Sequence, residues 1–514
     1  MASFIPFIPS FPSYTGPYKV GSVDLEIPIS DLTSPSASPD PTISTIQCRI
    51  FYPCEPVSSR SVYWLPEPQR DYVRSYMRFL GIGRWTSELL SFLSWQLYHI
   101  EIPVLENAKL LPPPAESQRW PVMVFSHGLG GTRNSYSHIV GSLASHGLVV
   151  IATEHRDGSV PITFIQDIEG NIEKPVEYKI MAHTKTKKVM DARNEQLKIR
   201  LWELGLVHSI LLELDAGKPL ENFALDRFSD LKLSMFKGKL GVHEPGSIIW
   251  AGHSFGAVTT VQFTKSVFWQ HSKHPEIQDP NAFTYSPLFE PDAGSPLVSQ
   301  ITPRSPIILL DLWILPLLSP STRWLWNRPL PNYASPAGSE GSSLMSILSE
   351  GFYKWSSNLA ATKRVLSADP SLTSEKRPSD KPSPYIFYPI SSAHLNQSDF
   401  GILFPWVTKR FVKADEPERI LCLNVRAILQ MLRQNGVAVG NTSKLEMEME
   451  EEEEEEAGFV KIERESEKQE ATQDVTILAT DGKVRGWIAI TLSDDENVDT
   501  EKLNQELFGE DESS

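Results

Sequence analysis

The stretch "GSIIWAGHSFGAVTTVQF", residues 246–263, constrains the fold more than any other. A short apolar run meets a Gly-x-Ser-x-Gly pentapeptide and passes directly into a second apolar run. A serine presented this way needs a strand, a sharp turn and a helix in succession, with small residues on either side of the turn. The pentapeptide alone is a weak signal, because short glycine–serine patterns arise by chance. Its setting between a buried-strand pattern and a helix pattern points to a nucleophile, Ser254. The plainer reading is a small-residue turn without chemistry.

Other segments supply the sheet such an elbow requires. "WPVMVFSHG" (120–128), "GLVVIATEH" (147–155) and "GSIIWAGHS" (246–254) are short apolar runs that end in polar residues. Parallel strands buried on both faces read this way. "IQCRIFYP" (46–53) and "SPYIFYPI" (383–390) also read as strands. Helical patterns alternate with them at 135–147, 191–217 and 423–436, each closed by a glycine. The alternation predicts an α/β fold with a mostly parallel sheet flanked by helices.

Composition divides the chain. Residues 1–45 are rich in Pro and Ser and read as loop, with a short strand at "VDLEIPI". Residues 46–440 form the main body, with loop insertions at about 265–305 and 320–380. Nine of the eleven residues Glu446–Glu456 are Glu, so 441–470 reads as an acidic disordered linker. The final segment, 471–514, is acidic and contains two β-rich runs around Asp481-Gly482, a hairpin signal.

The formal charge of −16 belongs to this tail. Residues 446–514 hold 24 acidic and 6 basic side chains, which leaves 40 and 42 of the totals of 64 and 48 for residues 1–445. A nearly neutral body with no basic concentration excludes a nucleic-acid footprint. Three cysteines in 514 residues make no disulfide framework. The opening "MASFIPFIPSFPSYTGP" lacks a basic n-region and does not read as a signal peptide. The greasiest stretch, "SPIILLDLWILPLLSP" (305–320), is broken by Asp311 and Pro316 and falls short of the roughly 20 residues that span a bilayer. A cytoplasmic protein is the expectation, with no metal, no cofactor and an unknown partner for the tail.

A serine nucleophile needs oxyanion donors and a base. The Phe255 N–H follows the nucleophile and is one expected donor. The loop "SHGLGG" (126–131) follows the strand at 120–128, and its Leu129 amide is the expected second. Chain order in such a fold runs serine, acid, histidine. After Ser254 come only His271, His274 and His394. The first two crowd the helix behind the nucleophile, whereas His394 stands in a loop just after a strand. The acid must lie between, at Asp279, Asp292, Asp311, Asp369 or Asp380 among others. Asp311 alone of these directly follows a strand-like run, "IILL", one strand earlier than the usual acid position.

These residues resemble the platelet-activating factor acetylhydrolases of the plasma and intracellular type II kind. The likeness runs from "GPYKVGSVDLEIP" through "FSHGLGGTRNSYSHIVGSLASHGLVVIATEHRDGS", "ARNEQLKIR", "GHSFGA" and "LLDLWILP" to "SSAHLNQSDF". The resemblance implies an α/β-hydrolase fold, a triad of Ser254, Asp311 and His394, and an oxyanion site at Leu129 and Phe255. It also implies calcium-independent hydrolysis of short or oxidised sn-2 acyl groups of phospholipids. The alternatives are a hydrolase of small soluble esters and a non-catalytic lipid-binding relative. His155, Arg156 and Asp157 in "EHRDGS" read as a structural hydrogen-bonded corner.

The resemblance further aligns "RWTSELLSFLSWQLYHI" (84–100) with a membrane-touching helix. Trp85, Leu89, Phe92 and Leu93 would then meet lipid, and the equal alternative is a helix packed on the core. "FGILFPWVTKRF" (400–411) is a weaker second stretch of the same kind.

Overall fold

The structure, a computed structural model, describes residues 8–507 apart from 57–59, 168, 225–231, 273–284, 335–337, 372–381, 413–414, 444–445, 448–472 and 493–506. Its centre is an 11-stranded sheet. In chain order the strands are β1 (Val20–Pro28), β2 (Thr45–Pro53), β3 (Leu105–Glu106), β4 (Trp120–Ser126), β5 (Val149–Glu154), β6 (Leu240–Gly241), β7 (Ile249–His253), β8 (Ile307–Leu310), β9 (Leu344–Ile347), β10 (Tyr385–Pro389) and β11 (Trp487–Ala489). They lie in the order β11-β10-β9-β8-β7-β4-β5-β2-β1-β3, with β6 beside β4. The run from β5 to β10 is parallel throughout, and the antiparallel pairings (β1–β2, β2–β5, β10–β11) fall towards its two ends.

The parallel centre follows from the apolar runs. Every residue of β7 and β8 is buried, so neither face can be left to solvent. Helices α3 (Ser137–Ser145), α4 (Lys187–Ala216) and α5 (Phe255–Trp269) supply the covering layers. Gly217 stops α4 in the left-handed conformation, φ 72°, which glycine adopts without a Cβ penalty. Core residues such as Trp202, Phe263 and Trp250 pack in one cluster, and Phe125, Ile139 and Leu429 in a second. This is the mixed, mostly parallel sheet of an α/β-hydrolase.

Several expectations need correction. The strand expected at "VDLEIPI" in the N-terminal segment is present but not short: nine-residue β1 pairs along its whole length with β2 and is almost entirely buried. The stretch at 265–305 begins inside α5, which continues to Trp269, and the helix Pro296–Gln300 buries Leu297. The stretch at 320–380 supplies β9, a fully buried strand between β8 and β10. The tail forms no hairpin among the described residues. Val475–Leu478 coils into a 3-10 turn, and Trp487–Ala489 pairs with β10 instead, where Trp487 stacks on Phe387 at 5.1 Å. A buried ion pair, Arg426–Asp474, ties the start of this segment to the helix Pro417–Gln434. Most of the acidic linker lies outside the described residues. Glu446, the first glutamate of the run, is buried and accepts hydrogen bonds from Thr15 and the Ser443 N–H.

Candidate active site

Strand β7 ends at His253, Ser254 sits alone in the turn, and α5 starts at Phe255. Ser254 is held at φ 56° and ψ −116°, a conformation that costs a non-glycine residue about 1–3 kcal/mol. The flanking glycines allow it. A Cβ on Gly252 would stand 2.4 Å from the Gly256 backbone, and one on Gly256 would stand 1.9 Å from the Ser126 carbonyl oxygen. The Ser254 N–H donates to the Leu310 carbonyl at 2.8 Å, which pins the turn to the end of β8.

The next residue after β8 is Asp311, fully buried and also at positive φ, 44°. Its N–H continues the sheet pairing to the Ile347 carbonyl, and its Oδ1 accepts the Ser349 N–H. Its Oδ2 faces His394 Nδ1 at 2.9 Å. A carboxylate accepts only, so Nδ1 carries the proton and Nε2 is left as the acceptor. Nε2 lies 3.1 Å from Ser254 Oγ. The structure therefore brings together the three side chains that chain order singled out. The other acids do not approach this arrangement: Asp292 and Asp369 are exposed, and Asp279 and Asp380 lie outside the described residues, as does His274. His271 is exposed.

The histidine loop is braced by three contacts that the sequence did not reveal. Phe352 stacks on the His394 ring at 4.6 Å with an interplanar angle of 8°. His253 packs against the same ring at 4.4 Å. Asp399, further along the loop, accepts hydrogen bonds from the Ser137 and His138 N–H groups, the Ser137 hydroxyl and the Trp64 indole. It thereby fastens the loop to the N-terminus of α3, where a carboxyl group is favoured. Burial pushes the Asp399 carboxyl up to about 6.

His253, the first of the two variable residues of the pentapeptide, also joins this cluster. The Gly128 N–H donates to the Tyr136 hydroxyl at 3.1 Å. That hydroxyl, with its own hydrogen still to place, donates to His253 Nδ1 at 2.7 Å. The ring proton then sits on Nε2, 4.0 Å from Asp311 Oδ2. Burial, with the neighbouring His394, holds the His253 pKa well below the ordinary imidazole range, so it stays neutral beside the triad. His253, Asp311 and His394 present ligand atoms within 4.8 Å of one another. A cation there would displace the proton shared by His394 and Asp311.

Of the two expected oxyanion amides, that of Phe255 follows Ser254 directly and that of Leu129 lies in a loop that passes Ser254. Phe255 is the first residue of α5, so its N–H has no carbonyl within the helix to bond. Leu129 is half-buried in the loop after β4, and its N–H donates to no acceptor among the described residues. Gly128 on this loop comes so near that an added Cβ would lie 3.0 Å from Ser254 Cβ.

Helix α2 (Arg84–Leu93) settles the question of which face is outward. Ser87 and Ser91 are buried, whereas Trp85 is 89%, Leu89 63%, Phe92 61% and Leu93 62% exposed. This reverses the usual amphipathic arrangement. Glu88 anchors the helix through Arg70 and Arg74 of α1 (Gln69–Phe79). At the end of α1, the partly exposed Phe79 lies where a Cβ on Gly130 would be 2.8 Å away, so exposed apolar surface on α1 reaches the loop after β4. Trp406, in the second stretch, is 71% exposed. Among the described residues no helix is long and apolar enough to cross a membrane.

The "EHRDGS" corner is buried and hydrogen-bonded: His155 bonds Glu203 and Ser126, Arg156 bonds Glu26, and Asp157 bonds Arg200.

Comparison with known proteins extends these observations. A family model described as "Platelet-activating factor acetylhydrolase, isoform II" matches residues 8–319. A "Putative phospholipase A2" of Schizosaccharomyces pombe is 28% identical over 457 residues, 83% of this chain and 92% of that protein. The platelet-activating factor acetylhydrolase of Cavia porcellus is 32% identical over 257 residues, 49% of this chain and 52% of its own. The match thus spans about half the length of this mammalian relative. A solved ferulic acid esterase from Streptomyces cinnamoneus overlays with a TM-score of 0.45 at 14% identity, covering 83% of this chain and 93% of that one.

Proposed function

This chain belongs to the platelet-activating factor acetylhydrolase, isoform II, family of carboxylic ester hydrolases, and from that premise we propose its reaction. It hydrolyses the sn-2 acetyl, or short or oxidised acyl, ester of platelet-activating-factor-like phospholipids through an acyl-enzyme, without calcium. The observation that carries this reading is the relay from Ser254 Oγ to His394 Nε2, 3.1 Å, and from His394 Nδ1 to Asp311 Oδ2, 2.9 Å.

The steps follow from the proton positions. Ser254 Oγ attacks the sn-2 carbonyl carbon while His394 Nε2 takes its proton. Asp311 keeps the imidazole oriented and balances the imidazolium charge. The carbonyl oxygen becomes an oxyanion between the Leu129 and Phe255 N–H groups, where each donor is worth about 10²–10³ in rate. Collapse expels the glycerol oxygen, which His394 protonates, leaving Ser254 acylated. Water, deprotonated by His394, then releases the acid. Every charge that develops meets a protein group, so no divalent cation is needed for these steps.

The outward apolar face of α2 supports work at a lipid surface, as a cytoplasmic enzyme held peripherally. Apolar side chains beside the site can enter the headgroup region while the charged side of the helix remains on the protein. Exchanging Trp85 and Leu89 for serine together should weaken binding to phosphatidylcholine vesicles at least tenfold in a co-sedimentation assay. Hydrolysis of p-nitrophenyl acetate in solution should stay within about twofold. Equal vesicle binding by the variant would remove this surface from the account.

The activity itself is tested with an sn-2 acyl series in EGTA, from acetyl to palmitoyl, run beside p-nitrophenyl acetate with and without vesicles. Turnover should be fastest for acetyl and fall steeply with chain length. Turnover of the soluble ester alone would favour a small-ester hydrolase, and no turnover of any ester a non-catalytic relative.

A further inference from the structure

Two runs of the sequence, "EHRDGS" and "ARNEQLKIR", contribute nothing to the triad, yet the fold brings them together on one buried cation. Arg200, on α4, is fully buried. Its Nε donates to Asp157 Oδ2 at 2.8 Å. Its Nη1 donates to the His127 carbonyl at 2.8 Å, and also approaches Thr259 Oγ1 at 3.3 Å. Its Nη2 donates to Ser159 Oγ at 2.6 Å. The guanidinium carbon lies 4.4 Å from the centre of the Phe255 ring.

These contacts converge on the two amides beside Ser254. The His127 carbonyl belongs to the loop just before Leu129. Ser159, held by the same guanidinium, accepts the Gly130 N–H just after Leu129, at 2.8 Å through its own carbonyl. The Leu129 amide is thus fastened on both sides. The Phe255 ring rests against the same cation, and Thr259 Oγ1 donates to the Phe255 carbonyl at 2.8 Å. We propose that Arg200 is a positioning residue that sets the Leu129 and Phe255 amides to a common point without itself touching substrate. This rests on reading those amides as the oxyanion site of a serine esterase.

Two physical points favour positioning over bulk stability. A buried ion pair such as Arg200–Asp157 is a poor way to stabilise a fold, because desolvation offsets much of the attraction. The pattern also needs a planar fork that bonds in three directions while lying over an aromatic ring, which arginine provides and lysine does not. Misplacing a reacting group by about 1 Å costs on the order of 100-fold in rate.

The test is Arg200→Lys, assayed on p-nitrophenyl acetate and on the sn-2 acetyl phospholipid, with Arg200→Ala and Asp157→Asn beside it. For Arg200→Lys the expected result is kcat lower by about 100-fold with KM within about threefold. The pH inflection of kcat/KM should not move, because the triad is untouched. Affinity for a trifluoromethyl ketone, whose adduct with Ser254 carries the oxyanion, should fall by the same factor as kcat/KM. Millimolar guanidinium should restore part of the rate to Arg200→Ala. Unchanged kcat per folded molecule overturns the proposal. So does a fall in thermal midpoint with no change in kcat or inhibitor affinity. If neither Arg200 variant folds, Asp157→Asn decides: kcat down about tenfold at constant KM supports positioning, and unchanged kcat overturns it. A wild-type protein that hydrolyses no ester removes the esterase reading and this inference with it, whereas an active wild type with an equally active Arg200→Lys removes this inference alone.

Discussion

Ser254→Ala is expected to lower ester turnover by on the order of 10⁴–10⁶-fold while leaving the fold intact. The loss is large because the nucleophile, its base and the orienting acid act as one unit: without Oγ, His394 has no proton to take. The fold should survive because the strain at Ser254 is in the backbone. Alanine meets the same φ of 56° and has the same Cβ, and the N–H to the Leu310 carbonyl remains. The side-chain hydrogen bond lost is the one to His394. Initial rates on the sn-2 acetyl substrate and a thermal melt, taken on the same preparation, check both halves. Activity within tenfold of wild type would place the nucleophile elsewhere.

Asp311→Asn should reduce kcat by on the order of 10⁴, an effect of the size known for the equivalent change in a serine protease. The two carboxylate oxygens have different tasks. Asn can keep its Oδ1 on the Ser349 N–H, so the buried turn after β8 stays in place. Its amide nitrogen then faces His394 Nδ1, where a donor forces the imidazole into the other tautomer. Nε2 would carry the proton and could not accept one from Ser254. The melt should therefore show a modest change and the rate a very large one. Near-normal turnover would mean that another acid orients His394, although Asp292 and Asp369 stand exposed.

The parts of the site that were legible in the sequence are those set by local pattern and chain order. The strand–elbow–helix around Ser254 announces itself because two glycines and two apolar runs are contiguous. His394 and Asp311 follow from order and from the strands that precede them. What stayed hidden depends on contacts between distant segments. Strand β9 reads as loop because its four residues, "LMSI", are short and sit among serines, and only pairing on both sides makes them a strand. Residues 475–492 look like a hairpin from the Asp-Gly turn signal, but the edge of β10 offers a better partner than the chain itself. The outward face of α2 could not be read from spacing, since a helix with one apolar stripe packs equally well inwards. It is decided by the buried serines and by the arginines of α1 that hold Glu88. Phe352 carries no motif signal, and Asp399 and Tyr136 sit in recognisable runs that do not show their roles, because each acts by a contact made across the fold. Arg200 sits in a recognisable run, but its partners come from separate segments of the chain.

The most direct measurement is covalent. The folded protein, treated with a fluorophosphonate and analysed by intact mass and peptide mapping, should take up one label per chain on Ser254 and none in Ser254→Ala. No label on folded wild-type protein, or a label on another residue, would contradict the assignment of Ser254 as the nucleophile and the reaction built on it.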